Sequence, residues 1–281
     1  MNGEPAKGHD VIVQLTTQTW SKLCNLALAK SRDVIRLIDR HLPKIIAAWA
    51  VLVAIMGATK LVRLHQAMDR PLPLAVILPL AATYLLIALT PLAAWQIVSG
   101  AFNTEKSLSR PSFSMAVAGT WQRLTRAEAL RREGYGIEGF LASLVAGIVL
   151  SIFVRLGQYA LAMPAVPLQG PDWAVALFTA MTADLLIMTF LYSTCLVMAL
   201  RGAPLFPRML LYTWLYDICM QLGIARYAMS VASMPAEIAP AMQPFLDGNI
   251  KKVLISVAIW LPYLLLSKRI NLTFRHRVAM A

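Results

Sequence analysis

The sequence predicts an all-α fold, a polytopic membrane bundle of about six transmembrane helices with amphipathic surface helices and both termini in the cytoplasm. Hydrophobic residues make up 58% of the 281 residues and charged residues only 14%, whereas an average soluble domain is about 25% charged. Mean hydropathy is +0.63, and several uncharged runs reach the ~20 residues that a helix needs to cross a bilayer. Lys and Arg are also distributed unevenly between alternate loops, as in multi-spanning membrane proteins.

Residues 1–42 are predicted to form a cytoplasmic amphipathic segment. Basic residues interrupt every apolar stretch before Pro43, so we expect no signal peptide and a retained N-terminus. Apolar residues recur at roughly helical spacing among the basic ones, which is typical of a helix that lies on a membrane surface. Docking against a partner helix is the alternative interpretation of the same pattern.

Six apolar stretches are predicted to span the membrane, two within residues 43–100 and four within residues 136–281. They cover about 44–63, 72–99, 138–160, 173–200, 206–229 and 250–268. The sixth has an uncharged core of only fifteen residues, from Val253 to Ser267. Basic residues at both of its ends are long enough to reach the lipid headgroups, which favours a span despite the short core.

Residues 101–135 are predicted to be a basic cytoplasmic linker between the second and third spans. A second amphipathic helix is expected over about 111–134, where four arginines alternate with Trp121, Leu124 and Leu130. We expect this helix to lie on the inner leaflet or to dock against a partner helix.

The distribution of basic residues predicts the orientation. With the N-terminus inside, the cytoplasmic segments contain seven Lys and Arg before Ile45, six within 101–138, two in the loop after residue 200 and four after Ser267, nineteen in all. The opposite side contains the other seven. This asymmetry predicts that both termini are cytoplasmic.

The net charge of +12 is explained by these cytoplasmic loops, which meet anionic lipid. No basic module with interleaved aromatic residues accompanies the charge, so nucleic-acid binding is not expected. The three cysteines form no CxxC motif and predict no disulfide framework.

Residues 136–277 contain three stretches with a familiar pattern. GIEGFLASLVAGIVLSIFVRL opens the third span, LRGAPLFPRMLLY links the fourth span to the fifth, and IWLPYLLLSKRINLTF closes the sixth. Together they resemble the DUF2569 family of bacterial inner-membrane proteins. The resemblance implies a four-helix unit in a bacterial cytoplasmic membrane and covers about half of the chain. The function of that family is unknown, so no catalytic residue is carried over.

The closing stretch also has a physical interpretation of its own. Trp260 and Tyr263 are amphipathic rings near the end of a span, and Lys268 and Arg269 follow at its boundary. Such residues favour the headgroup region, so these four are predicted to anchor the helix at the membrane interface.

Three charged residues fall deep inside the predicted spans, away from the span ends: Arg155, Asp184 and Asp217. Asp184 is eleven residues from the outer end of the fourth span, and Asp217 is eleven residues from the inner end of the fifth span. At ~1.5 Å per residue, each lies about 16 Å into the membrane. Thr213 and Gln221 lie one helical turn to either side of Asp217 and form a polar stripe with it. The sequence therefore predicts an intramembrane polar cluster of Arg155, Asp184, Thr213, Asp217 and Gln221.

Two interpretations of this cluster stay open. In one, the two carboxylates form a proton or cation relay and the protein is a small proton-coupled transporter. In the other, Arg155 neutralises one aspartate while the second is protonated or hydrogen-bonded to Thr213 or Gln221, and the cluster is structural. Because one arginine cannot neutralise two carboxylates, the first interpretation stays open.

The sequence contains no recognisable catalytic, cofactor or metal-binding motif. The histidines lie outside the spans or at their edges, and HExxH, Walker A and GxGxxG motifs are absent. The leading hypothesis is a non-enzymatic accessory or scaffold protein that acts through helix packing, a basic cytoplasmic face and a membrane protein partner. A transporter that uses Asp184 and Asp217 comes second, and an enzyme that acts on lipid at the inner leaflet comes third.

Overall fold

The computed structural model describes residues 6–68, 71–101, 120–230, 235 and 238–280. They form eight helices and one two-stranded sheet. The helices are α1 (Ala6–Gln66), α2 (Leu74–Ala101), α3 (Arg126–Leu130), α4 (Phe140–Ala162), α5 (Asp172–Leu200), α6 (Phe206–Ser230), α7 (Ile238–Leu266) and α8 (Lys268–Thr273). The strands are β1 (Trp121–Arg123) and β2 (Arg277–Ala279). The predicted all-α fold class is confirmed.

In the described part of the chain, five helices are long and apolar enough to cross a membrane. They are Asn25–Gln66, Leu74–Ala101, Phe140–Ala162, Asp172–Leu200 and Leu246–Leu266, which correspond to the predicted spans one to four and six. The predicted fifth span is α6, which has 25 residues but is less apolar because it contains Arg208, Asp217, Gln221 and Arg226. It packs against α5 and α7, so it belongs to the same bundle.

The predicted surface segment and the first span form one helix. α1 has 61 residues and continues through Pro43, which corresponds to about 90 Å at ~1.5 Å per residue. The hydrocarbon core of a bilayer is about 30 Å thick. A proline inside a helix removes one backbone hydrogen bond and often kinks or breaks the helix. α1 nevertheless continues past Pro43, so the boundary that we predicted between residues 42 and 43 is not a break in the helix.

The predicted helix over 111–134 is wrong in its described part. Residues 120–134 form β1 and the five-residue α3, and residues 102–119 lie outside the described part of the chain. A capping box begins α3, because Thr125 Oγ1 accepts from the Glu128 N–H at 3.3 Å and the Glu128 carboxylate accepts from the Thr125 N–H at 2.7 Å. β1 pairs antiparallel with β2, with Trp121 opposite Ala279. This long-range pairing replaces the local helical pattern.

α5 lies at the centre of the bundle and packs against α2, α4 and α6, while α1 packs against α2 and α4. A proline also contributes to this packing. Pro91 has no N–H for the carbonyl of Ile87, and the Trp49 indole N–H of α1 donates to that carbonyl at 3.0 Å. The bond satisfies a buried acceptor and joins α1 to α2.

One end of the bundle is closed by a compact region that we call the basic cap, residues 120–139 and 267–280. It contains the β1–β2 sheet, α3, α8 and the turn before α4. Phe274 is fully buried and stacks on Phe206 at 4.8 Å between ring centroids, which joins the cap to the start of α6. The orientation predicted from the sequence puts this end on the cytoplasmic side.

Candidate functional site

Arg155, Asp184 and Asp217 lie on three different helices, α4, α5 and α6, and meet in the interior of the bundle. Arg155 Nη1 donates to Asp184 Oδ2 at 2.6 Å. Arg155 Nη2 lies 2.7 Å from Asp217 Oδ1 and 2.6 Å from Asp217 Oδ2. One guanidinium thus bridges two carboxylates and joins three helices.

The two carboxylates are closed off from solvent. Asp217 is 0% exposed and Asp184 is 4% exposed. Ionised groups that are buried to this extent are stable only when they are paired and hydrogen-bonded. The cluster therefore depends on the remaining partners of each carboxylate oxygen.

Neutral polar side chains supply those partners. The Tyr192 hydroxyl donates to Asp217 Oδ2 at 3.0 Å, and Gln221 Nε2 donates to Asp184 Oδ1 at 3.1 Å. Asn249 Nδ2 of α7 donates to Gln221 Oε1 at 3.3 Å. All four carboxylate oxygens accept at least one hydrogen bond, and the network extends over α4, α5, α6 and α7.

Thr213 is buried on α6, the helix that contains Asp217, but its hydroxyl is not hydrogen-bonded to Asp217. Its hydroxyl donates to the Met209 carbonyl at 2.8 Å and contacts Cys195 Sγ at 3.4 Å. Gln221, the other end of the predicted stripe, binds Asp184 rather than the aspartate of its own helix. We therefore define the polar cluster as Arg155, Asp184, Tyr192, Asp217, Gln221 and Asn249.

Sequence reasoning missed Tyr192 and Asn249. The predicted sixth span begins at residue 250, whereas α7 begins at Ile238, so Asn249 was assigned to a loop. Tyr192 is eight residues after Asp184 in an apolar run. A phenolic hydroxyl in such a run needs a partner, and that requirement is the signal that could have revealed it.

The four predicted interface anchors lie at the junction of α7, α8 and α4. Trp260 and Tyr263 pack on Phe140, with ring centroids 4.3 and 4.9 Å away. Arg269 Nη1 lies 3.1 Å from the Glu138 carboxylate, and Lys268 is exposed. Three of the four thus hold the end of α7 against the start of α4, a role that the sequence analysis did not predict.

No three His, Cys, Asp or Glu side chains in the described part of the chain are arranged to hold a metal ion. Of the cysteines, Cys195 is buried and Cys219 is exposed, and both are free. The polar cluster is thus a set of hydrogen-bonding and ionisable groups, and the chemistry open to it is ion pairing and proton binding.

The comparisons with known proteins add no identity to what the helices show. Comparisons of the chain with protein-family models, curated proteins and solved structures find no match. The DUF2569 resemblance therefore stays a prediction from the quoted residues. The long apolar helices show that the protein is a multi-pass integral membrane protein.

Proposed function

We propose that the protein is a non-enzymatic accessory or scaffold subunit that acts through helix packing and a basic cytoplasmic face, and that it binds another membrane protein through residues 26–38 of α1. We assign it to a bacterial cytoplasmic membrane and to the DUF2569 family on the residues of its last four spans. The observation that carries the proposal is an uncovered apolar face on α1, outside the predicted hydrocarbon segment.

Residues 26–38 of α1 use one face to contact the bundle. Ser31 Oγ accepts from the Gly139 N–H at 2.8 Å, and Arg32 Nε lies 2.8 Å from the Glu138 carboxylate. Ile35 and Ile38 pack against the core on the same side. These positions recur at helical spacing and define the bundle-facing side of α1.

The other side of this segment has apolar residues without a cover. Leu26 is 60% exposed, Leu37 is 58% exposed, and Val34 between them is also exposed. They belong to the 42-residue apolar helix Asn25–Gln66, which at ~1.5 Å per residue is about 63 Å long, twice the ~30 Å thickness of a hydrocarbon core. With the hydrocarbon core placed at the predicted span 44–63, these three residues lie outside it. An apolar stripe flanked by charges is typical of a helix that docks against a partner.

The polar cluster supports the same proposal. Each carboxylate oxygen has a donor, and the guanidinium joins three helices, as expected of a group that fixes how helices pack. A protein of this kind acts through the surfaces that its fixed bundle presents.

The test is affinity purification of the tagged protein in mild detergent, with mass spectrometry of co-eluting proteins. The variant Leu26→Glu with Leu37→Glu places charge on the uncovered face, and the matched control is Arg36→Gln in the same stretch. We expect a stoichiometric partner with the wild type and the control, and its loss with the double variant. A partner-free wild type, or retention by the double variant, would contradict the proposal.

A second candidate function, a small proton-coupled transporter that uses Asp184 and Asp217, is favoured by the charge of the cluster. One guanidinium faces two carboxylates, so the cluster has one surplus negative charge when all three groups are ionised. A net charge is costly at this depth, and binding one proton removes it.

The hydrogen bonds suggest Asp184 as the carboxyl that takes this proton. The oxygen and nitrogen atoms of an amide are assigned from its network. If the side-chain amides of Gln221 and Asn249 both rotate by half a turn, the oxygen and nitrogen of each amide exchange places. A protonated Asp184 then donates to Gln221 Oε1, and the network stays complete. Both carboxylate oxygens of Asp217 instead accept from Arg155 Nη2.

The transporter candidate is tested by infrared difference spectroscopy of the protein in liposomes during a pH step. We expect the carbonyl band of a protonated carboxyl group in the wild type, its loss in Asp184→Asn, and its retention in the control Asp172→Asn at the exposed start of α5. The absence of a titrating band in the wild type would rule out this candidate.

A further inference from the structure

The basic cap contains a groove that the polar cluster does not reach. Its volume is about 400 Å³, and it lies between the turn after α3, the start of α8 and the sheet. Its lining includes Trp121, Arg132, Glu133, Lys268, Arg269 and Leu272. We call it the basic groove.

The cap as a whole has more positive than negative charge. Its residues include eight Lys and Arg and three Glu. Glu128 takes part in the capping box, and the carboxylate of Glu138 already faces Arg32 and Arg269. Glu133 is therefore the acidic group of the cap that lies in the groove, opposite three basic side chains.

Two arginines of the same cap share one acceptor. Arg275 Nη1 and Arg277 Nε both donate to Asn271 Oδ1, at 3.0 and 2.8 Å. Burial, followed by the charges of Arg277 and Arg208, lowers the pKa of Arg275 to about 10. An anion bound in this region would offset that repulsion.

The groove lies directly beyond a membrane helix. The last apolar segment ends at Leu266, Ser267 caps the N-terminus of α8, and Lys268 and Arg269 follow at once. Basic residues at such a boundary lie at the level of the lipid phosphates. Trp121 and Leu272 give the groove an apolar side, and Arg277 lies over the Trp121 ring at 4.7 Å.

We propose that the basic groove binds the phosphate group of an anionic phospholipid, with Arg132 and Lys268 as the ligands that define the site. This inference rests on the basic face of the proposed function and names its lipid partner. Arg132 offers the planar donors that suit a phosphate oxygen pair, and Lys268 adds a flexible ammonium group.

The test uses the full-length protein in nanodiscs, followed by native mass spectrometry of the lipid retained on release. One set of nanodiscs contains phosphatidylglycerol with phosphatidylcholine, and the other contains phosphatidylcholine alone. The variant Arg132→Gln with Lys268→Gln removes two groove charges. The matched control, Arg123→Gln with Arg131→Gln, removes two exposed charges of the same cap that do not line the groove.

We expect phosphatidylglycerol to be retained by the wild type and the control and to bind about tenfold or more weakly to the groove variant, since only that variant loses two charge-assisted hydrogen bonds to the phosphate. Thermal unfolding in detergent verifies that both variants fold. Equal losses in the two variants would show unspecific attraction and overturn the proposal, as would no loss in either. Displacement of the lipid by millimolar inorganic phosphate would identify a free phosphate as the ligand and overturn the lipid assignment.

The two proposals fail separately. If the groove variant loses lipid but keeps the partner bound through α1, both proposals stand. Loss of the partner only in the α1 variant, with unchanged lipid binding in the groove variant, would support the proposed function and overturn this inference.

Discussion

Replacing Arg155 with glutamine leaves two buried carboxylates without a counter-charge. Removing one member of a buried ion pair costs about 3–5 kcal/mol, because the remaining charge stays desolvated. Here the guanidinium has three contacts within 2.7 Å of carboxylate oxygens. We therefore expect Arg155→Gln to lie at the upper end of that range.

The two aspartates should respond unequally. Asp217 is fully buried and has two contacts with Nη2 and one with Tyr192, whereas Asp184 has one contact with Arg155 and one with Gln221. Asp184→Asn also removes the surplus negative charge and leaves a one-to-one pair. We expect a change below about 1 kcal/mol for Asp184→Asn and about 3 kcal/mol or more for Asp217→Asn.

The assay is equilibrium unfolding in mixed micelles with increasing dodecyl sulfate, followed by tryptophan fluorescence. The free energy of unfolding is compared for the wild type, the three variants and the exposed control Asp172→Asn. The expected order of destabilisation is Arg155→Gln, then Asp217→Asn, then Asp184→Asn. A larger loss for Asp184→Asn than for Asp217→Asn would refute the assignment of the surplus charge to Asp184.

Three further predictions concern parts of the fold outside the cluster. Trp49→Phe leaves the Ile87 carbonyl, which Pro91 cannot satisfy, without a donor, and should lower the free energy of unfolding by about 1–3 kcal/mol in the same assay. Adding Pro91→Ala should recover part of that loss, and strictly additive losses in the double variant would contradict this prediction. Gly57→Ala should destabilise by about 1–3 kcal/mol, because its Cβ would lie 2.9 Å from Tyr84 Cγ; an unchanged stability would contradict the close approach of α1 and α2. The hydrogen bond from the Thr125 N–H lowers the pKa of Glu128. Hydrogen-exchange protection of α3, corrected for intrinsic rates, should therefore be complete above the ordinary glutamate pKa and fall as the pH drops below it. The same pH dependence in Glu128→Gln would contradict this prediction.

Much of the bundle is predictable from the sequence because hydropathy is a local property. Uncharged runs reveal the spans, and counting residues from the ends of the spans predicts that Asp184 and Asp217 lie at one depth. That Arg155 bridges both is not predictable from depth alone, because it depends on which faces of α4, α5 and α6 meet. α6 shows where hydropathy fails as a predictor of spans. Polar residues that face the bundle interior lower the mean hydropathy of α6, although the helix belongs to the bundle.

The basic cap was missed for a different reason. β1 and β2 are separated by more than 150 residues, with Arg123 paired to Arg277, and neither three-residue strand has a signal of its own. The basic residues of 120–134 instead suggested an amphipathic helix. Pairing over such a distance depends on how the helices between the strands pack.

The most direct test of the proposed accessory function is photo-crosslinking in living cells. A photoreactive amino acid is placed at Leu37, on the uncovered face of α1, and in a separate variant at Ile35, on the bundle-facing side. The account predicts one adduct of defined mass with another membrane protein from position 37 and none from position 35. Adducts from neither position, or from position 37 with lipid alone, would contradict it.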